Sequence, residues 1–391
     1  MISVGEALEA LFALVAPLPA ETVPLAAAAG RVLAVDAVAR RDQPPFESAA
    51  MDGYALRSGE LHSGARLTVI GESAAGHRFQ GVVGPGQAVR IFTGAPVPEG
   101  ADRVVMQEDV TRDGDAIVLG AGIGQSSHIR PRGSDFSAGT RLAAPRLLGP
   151  SDIALLAAMN VPEVQVTRRP RLALISTGDE LVMPGDAPGP DQIVASNTFG
   201  LKALAEMSGA EARILPIARD SEAAIGAAFD LARGADLLVT IGGASVGDHD
   251  LVGRVAAARG MQRAFYKVAM RPGKPLMAGR LEGAAMLGLP GNPVSAMVCG
   301  HVFLQPLLRA MLGLGAAPAP RQTARLGRDL PANGPREHYM RADLRAGVIT
   351  PAARQDSALL WELAMANALL VRPPGDPARA AGAPVEYIAI G

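Results

Sequence analysis

Glycines and carboxylates lie close together in residues 242–250, which read Gly-Gly-Ala-Ser-Val-Gly-Asp-His-Asp and directly follow an apolar run at 236–241. Glycine lets backbone N–H groups come close to phosphate oxygens. The aspartates would repel a bare phosphate, so we expect a Mg²⁺ ion between the carboxylates and the phosphate. The alternative is a tight turn with solvated acids. The candidates are Gly242, Gly243, Ser245 and Gly247 for the ligand, and Asp248 and Asp250 for the metal.

A second polar segment, Ser-Thr-Gly-Asp-Glu at 176–180, follows the apolar run that begins at residue 171. Ser176 and Thr177 can donate hydrogen bonds to a phosphate or a polar ring. Gly178 permits close approach, and Glu180 adds acid or metal chemistry. The alternative is an ordinary exit from a strand, with an acid that caps the following loop.

Lys274 lies between two prolines in Pro-Gly-Lys-Pro at 272–275. Proline rigidity lowers the entropy that is lost when the ammonium group is fixed. The lysine would neutralise the charge of a phosphate or an oxyanion. The alternative is an exposed lysine in a turn.

Residues 288–295, Gly-Leu-Pro-Gly-Asn-Pro-Val-Ser, end one predicted strand and open a helix. Asn292 is typical of an N-cap and Pro293 of the first helical position. The free N–H groups and the positive dipole end of such a helix attract anions. The alternative is a helix start without a ligand. The candidates here are Pro290, Asn292, Pro293 and Ser295.

Three loops between residues 43 and 135 also carry polar side chains. Asp52 lies in Met-Asp-Gly-Tyr-Ala, and Thr93 opens Thr-Gly-Ala-Pro-Val-Pro. The run Arg-Pro-Arg-Gly-Ser-Asp at 130–135 combines two arginines with an acid, and the arginines could clamp a phosphate or solvate a loop. Its candidates are Arg130, Arg132 and Asp135.

The composition is that of a globular protein with ample core, with 49% hydrophobic and 19% charged residues in 391. This length predicts about two to four domains. The net charge of −1 gives no electrostatic case for nucleic acid or membrane partners. A single cysteine excludes a disulfide framework and a thiolate zinc cluster. No apolar run approaches the roughly 20 residues of a transmembrane helix, and we expect a cytoplasmic protein.

The pattern of apolar residues changes along the chain. Ser3 and Glu6 form a capping box at the start of a helix. Asp220 or Ser221 caps a later one. Alternating strands and helices after residue 171 predict a parallel sheet, whose ligands bind beyond the carboxyl ends of its strands. Helices are predicted at 3–17, 22–35 (helical or mixed), 140–170 (with Ser151 and Asp152 as candidate caps before 153–159), 197–208 and from 221 to about 234. Strands are predicted at 67–70, 88–92, 103–107, 116–119, 171–176, 212–217, 236–241, 341–344, 368–372 and 385–390.

Together these motifs resemble the molybdopterin molybdenumtransferases, the molybdate-inserting enzymes that are also the family of the gephyrin C-terminal domain. The resemblance implies an elongated, multidomain α/β and β fold. Its parts are a central parallel α/β molybdopterin-binding domain, a small inserted β domain and a C-terminal β domain. The implied boundaries are 1–42 plus 136–170, 43–135, 171–318 and 319–391. The matching segments are 51–55, 93–98, 176–180, 242–250, 272–275 and 289–295.

The resemblance also implies the reaction. Adenylyl-molybdopterin and molybdate give molybdenum cofactor and AMP, with Mg²⁺. It implies a homodimer whose site lies between the α/β domain of one subunit and the β domain of the other. Docking with the molybdopterin-adenylating protein is a further expectation.

Residue roles are carried over by position. Arg336, Tyr339 and Arg341 match a basic, substrate-facing stretch. We expect Glu180 and Asp250 to be the most sensitive acids. The catalytic candidates are Asp52, Thr93, Asp135, Glu180, Asp220 and Asp250, and the metal candidates are Glu180, Asp248 and Asp250. The substrate-binding candidates are Ser176, Thr177, Gly178, Gly242, Gly243, Ser245, Gly247, Lys274, Pro290, Asn292, Pro293, Ser295, Arg130, Arg132 and Arg341.

Some residues depart from the family pattern, and two other functions fit the same fold. A molybdopterin adenylyltransferase would lack the extra β domains, and a non-catalytic scaffold would have no need of the acids and Lys274. Molybdate and tungstate are not distinguished by sequence, because they share charge and nearly the same size.

The residues that depart from the family pattern are Glu47, Ser48 and Ala49 in the lead-in to Asp52, Ala195, and Trp361 with Glu362.

Overall fold

The computed structural model describes residues 1–243 and 251–390. Its first helix, Val4–Phe12, begins with the predicted capping box, in which the Glu6 N–H donates to the Ser3 hydroxyl and the Ser3 N–H donates to the Glu6 carboxylate. The helix is shorter than predicted and ends ahead of Pro17, which cannot donate a backbone hydrogen bond.

The N-terminal domain is discontinuous because its strands pair across the inserted domain. Ala20–Pro24 pairs antiparallel with Glu163–Thr167, so contact partners are about 140 residues apart. The predicted helical or mixed stretch at 22–35 is therefore wrong in its main part, since strand pairing outweighs the local alanine-rich pattern. The predicted return to helix at 140–170 is confirmed only for Pro150–Ala158, because the segments on either side pair as strands. The domain's elements are Ala20–Pro24, the 3-10 turn Leu25–Ala27, Val32–Leu33, Ala37–Val38, Arg141–Leu142, Arg146–Leu147, the helix Pro150–Ala158 and Glu163–Thr167.

The inserted β domain contains a six-stranded sheet. Each of the four predicted strands is present with bounds shifted by no more than three residues at either end. Its sheet strands in spatial order are Arg103–Met106, Gly53–Leu56, Gln87–Ile91, Arg66–Ser73, Ala116–Leu119 and Val110–Asp113, and a separate ribbon pairs Ser48–Ala49 with Ile129–Arg130.

The α/β domain is built on a six-stranded sheet with hydrophobic cores on both faces. Four of its strands are parallel, as the alternating pattern predicts. In spatial order the strands are Glu211–Ile214, Arg171–Ser176, Leu237–Ile241, Ala284–Leu289, Met277–Leu281 and Gln262–Tyr266, and the helices are Asn197–Met207, Glu222–Leu231, Leu251–Ala258, Pro293–Cys299 and Gln305–Met311.

The first helix packs on one face of this α/β sheet. Leu8 and Leu11 belong to the same buried cluster as Phe265 and Leu307. The helix contacts the strand Gln262–Tyr266 and the helix Gln305–Met311. Residues 4–12 therefore pack with the α/β domain, whereas the resemblance implies that they belong to the N-terminal domain. The other implied boundaries stay a prediction.

One continuous helix, Pro293–Met311, is long and apolar enough to cross a membrane, with 19 residues and a mean hydropathy of 1.3. It is not the continuous apolar run that the sequence analysis considers, because His301, Gln305 and Arg309 interrupt it. The helix contains one π-helical stretch, Gly300–Leu304. Its apolar window is 83% buried inside the protein, because it packs against the sheet in the α/β core.

The C-terminal domain is a five-stranded closed sheet, because Glu337–Arg345 pairs with Ala368–Arg372 as well as with its other neighbour. A short strand of the α/β segment, Met270–Arg271, pairs parallel with Glu337–Arg345 and joins the two domains. The remaining elements are Gln322–Leu326, Val348–Pro351, the helix Leu360–Ala364 and Pro384–Ala389.

Candidate active site

A cavity of about 910 Å³ opens at the carboxyl ends of the parallel strands Arg171–Ser176, Leu237–Ile241 and Ala284–Leu289. This edge is where ligands bind on open α/β sheets, and it is where the sequence analysis expects the site. The described residues that line it include ten of the predicted candidates: Ser176, Thr177, Gly178, Glu180, Asp220, Gly242, Gly243, Pro290, Asn292 and Pro293. Lys274 does not line the cavity, but its neighbour Pro275 does.

One wall of the cavity depends on glycine. A Cβ atom on Gly242 would lie 2.8 Å from the backbone oxygen of Thr177. One on Gly243 would lie 2.4 Å from Val252 Cγ2 and 2.9 Å from Thr177 Oγ1. Thr177 is buried, and its hydroxyl has no hydrogen-bond partner among residues 1–243 and 251–390. An unpaired buried hydroxyl is costly, so this wall presents a donor that a bound ligand could satisfy.

Carboxylates crowd one side of the cavity. Glu180 and Asp220 line it, and the Asp220 N–H donates to Asp179 Oδ1 at 3.2 Å. Partial burial raises the pKa of Asp220, and the nearby charges of Asp179 and Glu180 raise it further. The cavity therefore has an excess of negative charge on this side, which favours a cation.

The start of the helix Pro293–Cys299 forms the opposite side. Asn292 is its N-cap and Pro293 its first residue, as predicted. The Asn292 amide does not cap its own helix but donates to the hydroxyl of Ser357 at 2.9 Å. The Asn197 amide donates to the Gly291 carbonyl at 2.6 Å. The turn is thus held from two directions, and the C-terminal domain supplies Ala358 to the cavity wall.

The predicted residues of the inserted domain do not line this cavity in the single chain. Asp52 accepts hydrogen bonds from the N–H and the hydroxyl of Thr93, both at 2.7 Å. The hydrogen bond from the Thr93 N–H lowers the pKa of Asp52 most, and the bond from the Thr93 hydroxyl lowers it further. Arg132 pairs with Asp42. Arg130 and Asp135 are exposed.

Arg341 is fully buried and does not line the cavity. Its guanidinium donates to the carbonyls of Arg354, Gln355 and Asp356, at 3.3, 3.2 and 2.8 Å. The predicted direct contact with substrate is therefore corrected, because strand alternation turns Arg341 inward with Tyr339. Arg341 positions the loop that precedes Ser357.

A basic cluster adjoins the loop of Lys274. Lys274 and Arg271 are exposed at this junction, and Ser295 is buried behind the cavity wall. His338, paired in register with Arg271, is buried, and its Nε2 has no hydrogen-bond partner in the described part of the chain. Burial lowers the pKa of His338 to about 4, with further lowering by Arg271, Arg341, Arg372 and Arg336. Positive charge is concentrated here.

Four predicted residues lie outside the described part of the chain: Ser245, Gly247, Asp248 and Asp250. Within residues 1–243 and 251–390, no group of three or more His, Cys, Asp or Glu side chains is arranged to hold a metal. Sequence reasoning missed three polar residues of the cavity wall, Ser196, Asn197 and Arg254. Arg254 stands one turn into a helix with no distinctive local motif, so only the fold reveals it.

Comparisons with known proteins match three segments of the chain. Family descriptions match as "MoeA N-terminal region (domain I and II)" at residues 2–160, "Probable molybdopterin binding domain" at 173–310 and "MoeA C-terminal region (domain IV)" at 323–390. The molybdopterin molybdenumtransferase of Nostoc sp. is 37% identical over 91% of this chain and 85% of its own length. Molybdopterin molybdenumtransferase 2 of Mycobacterium tuberculosis is 38% identical over 90% of each chain. The molybdopterin biosynthesis MoeA protein of Pyrococcus horikoshii has a TM-score of 0.85 and 30% identity, with 100% of this chain and 99% of that chain covered. This chain therefore belongs to the MoeA family, that of the molybdopterin molybdenumtransferases.

Proposed function

We propose that this protein is an enzyme that inserts molybdenum into molybdopterin during molybdenum-cofactor biosynthesis. The relatives at 37–38% identity are named for this transfer. The single observation that carries the proposal is the 910 Å³ cavity. It lies in the segment that matches a molybdopterin-binding domain, at the sheet edge where ligands bind.

The substrate that best suits the cavity is adenylyl-molybdopterin, with AMP as the leaving product. The Thr177 hydroxyl and the glycine wall at 242–243 provide close polar contact. The helix N-terminus at Pro293 attracts the phosphate groups. The volume lies near the upper end of the range of about 300–1,000 Å³ for ligand pockets, which suits a large two-part molecule.

Mg²⁺ fits the described residues. The ion is usually held by one or two carboxylates together with substrate phosphates. Glu180 and Asp220 line the cavity, and partial burial, together with the charges of Asp179 and Glu180, raises the pKa of Asp220. Mg²⁺ would supply screening of phosphate charge there. Asp248 and Asp250, the other predicted metal ligands, lie outside the described residues.

Molybdate is a dianion and would enter at the basic cluster. Arg271 and Lys274 are exposed beside the cavity residue Pro275. Burial lowers the pKa of the nearby His338, and the charges of Arg271, Arg341, Arg372 and Arg336 lower it further. Arg271 and Lys274 would hold the oxyanion while the substrate sulfurs replace its oxygens.

The inserted domain completes the site from a second copy of the chain in this proposal. Asp52 and Thr93 form an ordered, exposed pair that the cavity of its own chain does not use. A homodimer would bring this pair over the partner's cavity. Cytoplasmic residence and docking with the molybdopterin-adenylating protein complete the proposal, because the substrate must reach the cavity before it is hydrolysed.

The decisive experiment measures AMP release from adenylyl-molybdopterin with Mg²⁺, with and without molybdate. Molybdate-dependent release supports insertion, and Glu180→Gln should abolish most of it while substrate still binds. Tight binding without release would contradict insertion and indicate a carrier. Consumption of ATP with free molybdopterin would indicate an adenylyltransferase, and a folded protein that binds neither substrate would indicate a scaffold.

A further inference from the structure

Arg254 is the one cationic side chain among the described residues that line the cavity. It lies in the helix Leu251–Ala258, and the lining acids Glu180 and Asp220 carry the opposite charge. An anionic ligand in this cavity would meet repulsion from these acids. A guanidinium in the wall offsets that repulsion and can bind phosphate oxygens in a bidentate manner.

The guanidinium of Arg254 is only loosely held. Its ion-pair partner is Glu222 at 4.0 Å, and the two side chains are 60% and 72% exposed. The neighbouring Arg259, in contrast, donates two hydrogen bonds to Asp230 at 2.8 and 3.0 Å. An exposed pair at such a distance contributes little to stability, so Arg254 can leave Glu222 at low cost.

Arg254 also lies between two cavities. It lines the 910 Å³ cavity and a smaller groove of about 390 Å³ between the helices Glu222–Leu231 and Leu251–Ala258. Glu222 lines only the smaller groove. A change of side-chain rotamer would therefore exchange one anionic partner for another.

We propose that Arg254 binds a phosphate group of the adenylylated substrate, and that Glu222 competes with this phosphate for the guanidinium. The inference rests on the proposed function, since it assigns a contact in the same cavity. Glu222 holds the arginine while the cavity is empty. A substrate phosphate, which accepts two strong hydrogen bonds from the guanidinium, displaces it.

The test measures the affinity of AMP and of adenosine for the full-length protein by calorimetry. Arg254→Gln should weaken AMP binding about tenfold, the range expected for one exposed charge-assisted contact, and should leave adenosine binding unchanged. Arg254→Lys should recover part of the loss because it keeps the charge without the planar fork. Glu222→Gln should tighten AMP binding about twofold, since it removes a weak competitor.

A double variant separates competition from independent effects. In the Arg254→Gln background, Glu222→Gln should have no effect on AMP affinity, whereas independent effects would add. Arg233→Gln, at a 67% exposed arginine outside the cavity, is the matched control and should bind AMP like the wild type. Melting curves of each variant check folding.

The experiment distinguishes failure of the proposed function from failure of the assignment of Arg254. If wild-type protein neither binds AMP nor releases it from the substrate, the proposed function fails. If the wild type releases AMP with molybdate but Arg254→Gln has the same AMP affinity and the same KM, the assignment of Arg254 is wrong. A loss of adenosine binding equal to the loss of AMP binding would also overturn it, because the defect would then not involve the phosphate.

Discussion

The side-chain amide of Asn292 donates a hydrogen bond to the hydroxyl of Ser357 at 2.9 Å, and this contact joins the α/β domain to the C-terminal domain at the edge of the cavity. The Val294 N–H donates to the Ser357 carbonyl at 3.1 Å beside it. Two bonds from one helix start therefore fix the loop that carries Ala358 into the cavity wall.

Removal of the Ser357 hydroxyl should loosen this wall without unfolding the protein. Ser357→Ala keeps the backbone bond from Val294, so we expect a melting temperature close to that of the wild type. One hydrogen bond is worth about 1 kcal/mol, and kcat/KM should fall about fivefold, mainly through KM. Steady-state AMP release measures this. Ser63→Ala, at an exposed serine of the inserted domain, is the control, and an unchanged KM would show that the loop does not shape the cavity.

The ionised carboxylate of Asp220 should destabilise the folded protein at neutral pH. Its pKa is raised in the folded state above the ordinary aspartate value of 3.8. The folded state therefore holds the proton more tightly than the unfolded state. The resulting stabilisation is full below pH 3.8 and is lost as the pH rises through the raised pKa.

Asp220→Asn should consequently raise the melting temperature at pH 7, and the gain over the wild type should shrink as the solution is acidified. Activity should fall about 10²-fold, as for loss of a group that acts on protons or metal. Thermal melts from pH 3.5 to 8 test the sign. A gain that does not depend on pH would contradict the electrostatic cause, and Asp115→Asn, at an exposed turn, controls for loss of any surface carboxylate.

Gly243→Ala should destabilise the protein through both strain and a clash. Gly243 has a φ of +65°, and the added Cβ would lie 2.4 Å from Val252 Cγ2. Gly234 has a φ of +80° with open space around it. Gly234→Ala should therefore cost only strain, about 1 kcal/mol, and Gly243→Ala about 2–4 kcal/mol. Urea denaturation compares the two, and equal losses would mean that the wall relaxes around the methyl group.

Arg341→Gln should lower stability before it affects substrate. The change leaves three carbonyl groups without their donor, at a cost of about 3 kcal/mol. Arg345→Gln, four residues along the strand at an 84% exposed arginine, should cost less than about 0.5 kcal/mol. If Arg341→Gln kept wild-type stability but lost molybdate affinity, the structural role would be wrong and Arg341 would contact the substrate directly.

Activity should be recovered when two inactive variants share a dimer. Asp52→Asn and Glu180→Gln change different domains, so a mixed dimer has one site with both native residues if the inserted domain acts on the partner's cavity. Unfolding and refolding an equimolar mixture should restore about a quarter of wild-type AMP release. No recovery would indicate that both residues act within one chain, and each variant refolded alone is the control.

The sequence predicted the elements whose signals are local. The capping box at Ser3 and the N-cap at Asn292 depend on neighbouring residues only, and both are present. The stretch 22–35 was mispredicted because its strands are stabilised by partners near residue 165. The role of Arg341 depended on which face of a strand points inward, and Arg254 entered the site only through the tertiary fold.

The packing of the first helix has a consequence for how the chain is made. Leu8 and Leu11 leave the ribosome early, yet their partners Phe265 and Leu307 are synthesised more than 250 residues later. At about 5–20 residues per second, the apolar face of this helix waits roughly 10–50 s for its partners. During this time the nascent helix exposes leucines to other chains and to chaperones. Completion of the α/β core is therefore a late event in biosynthesis, even though it begins at residue 4.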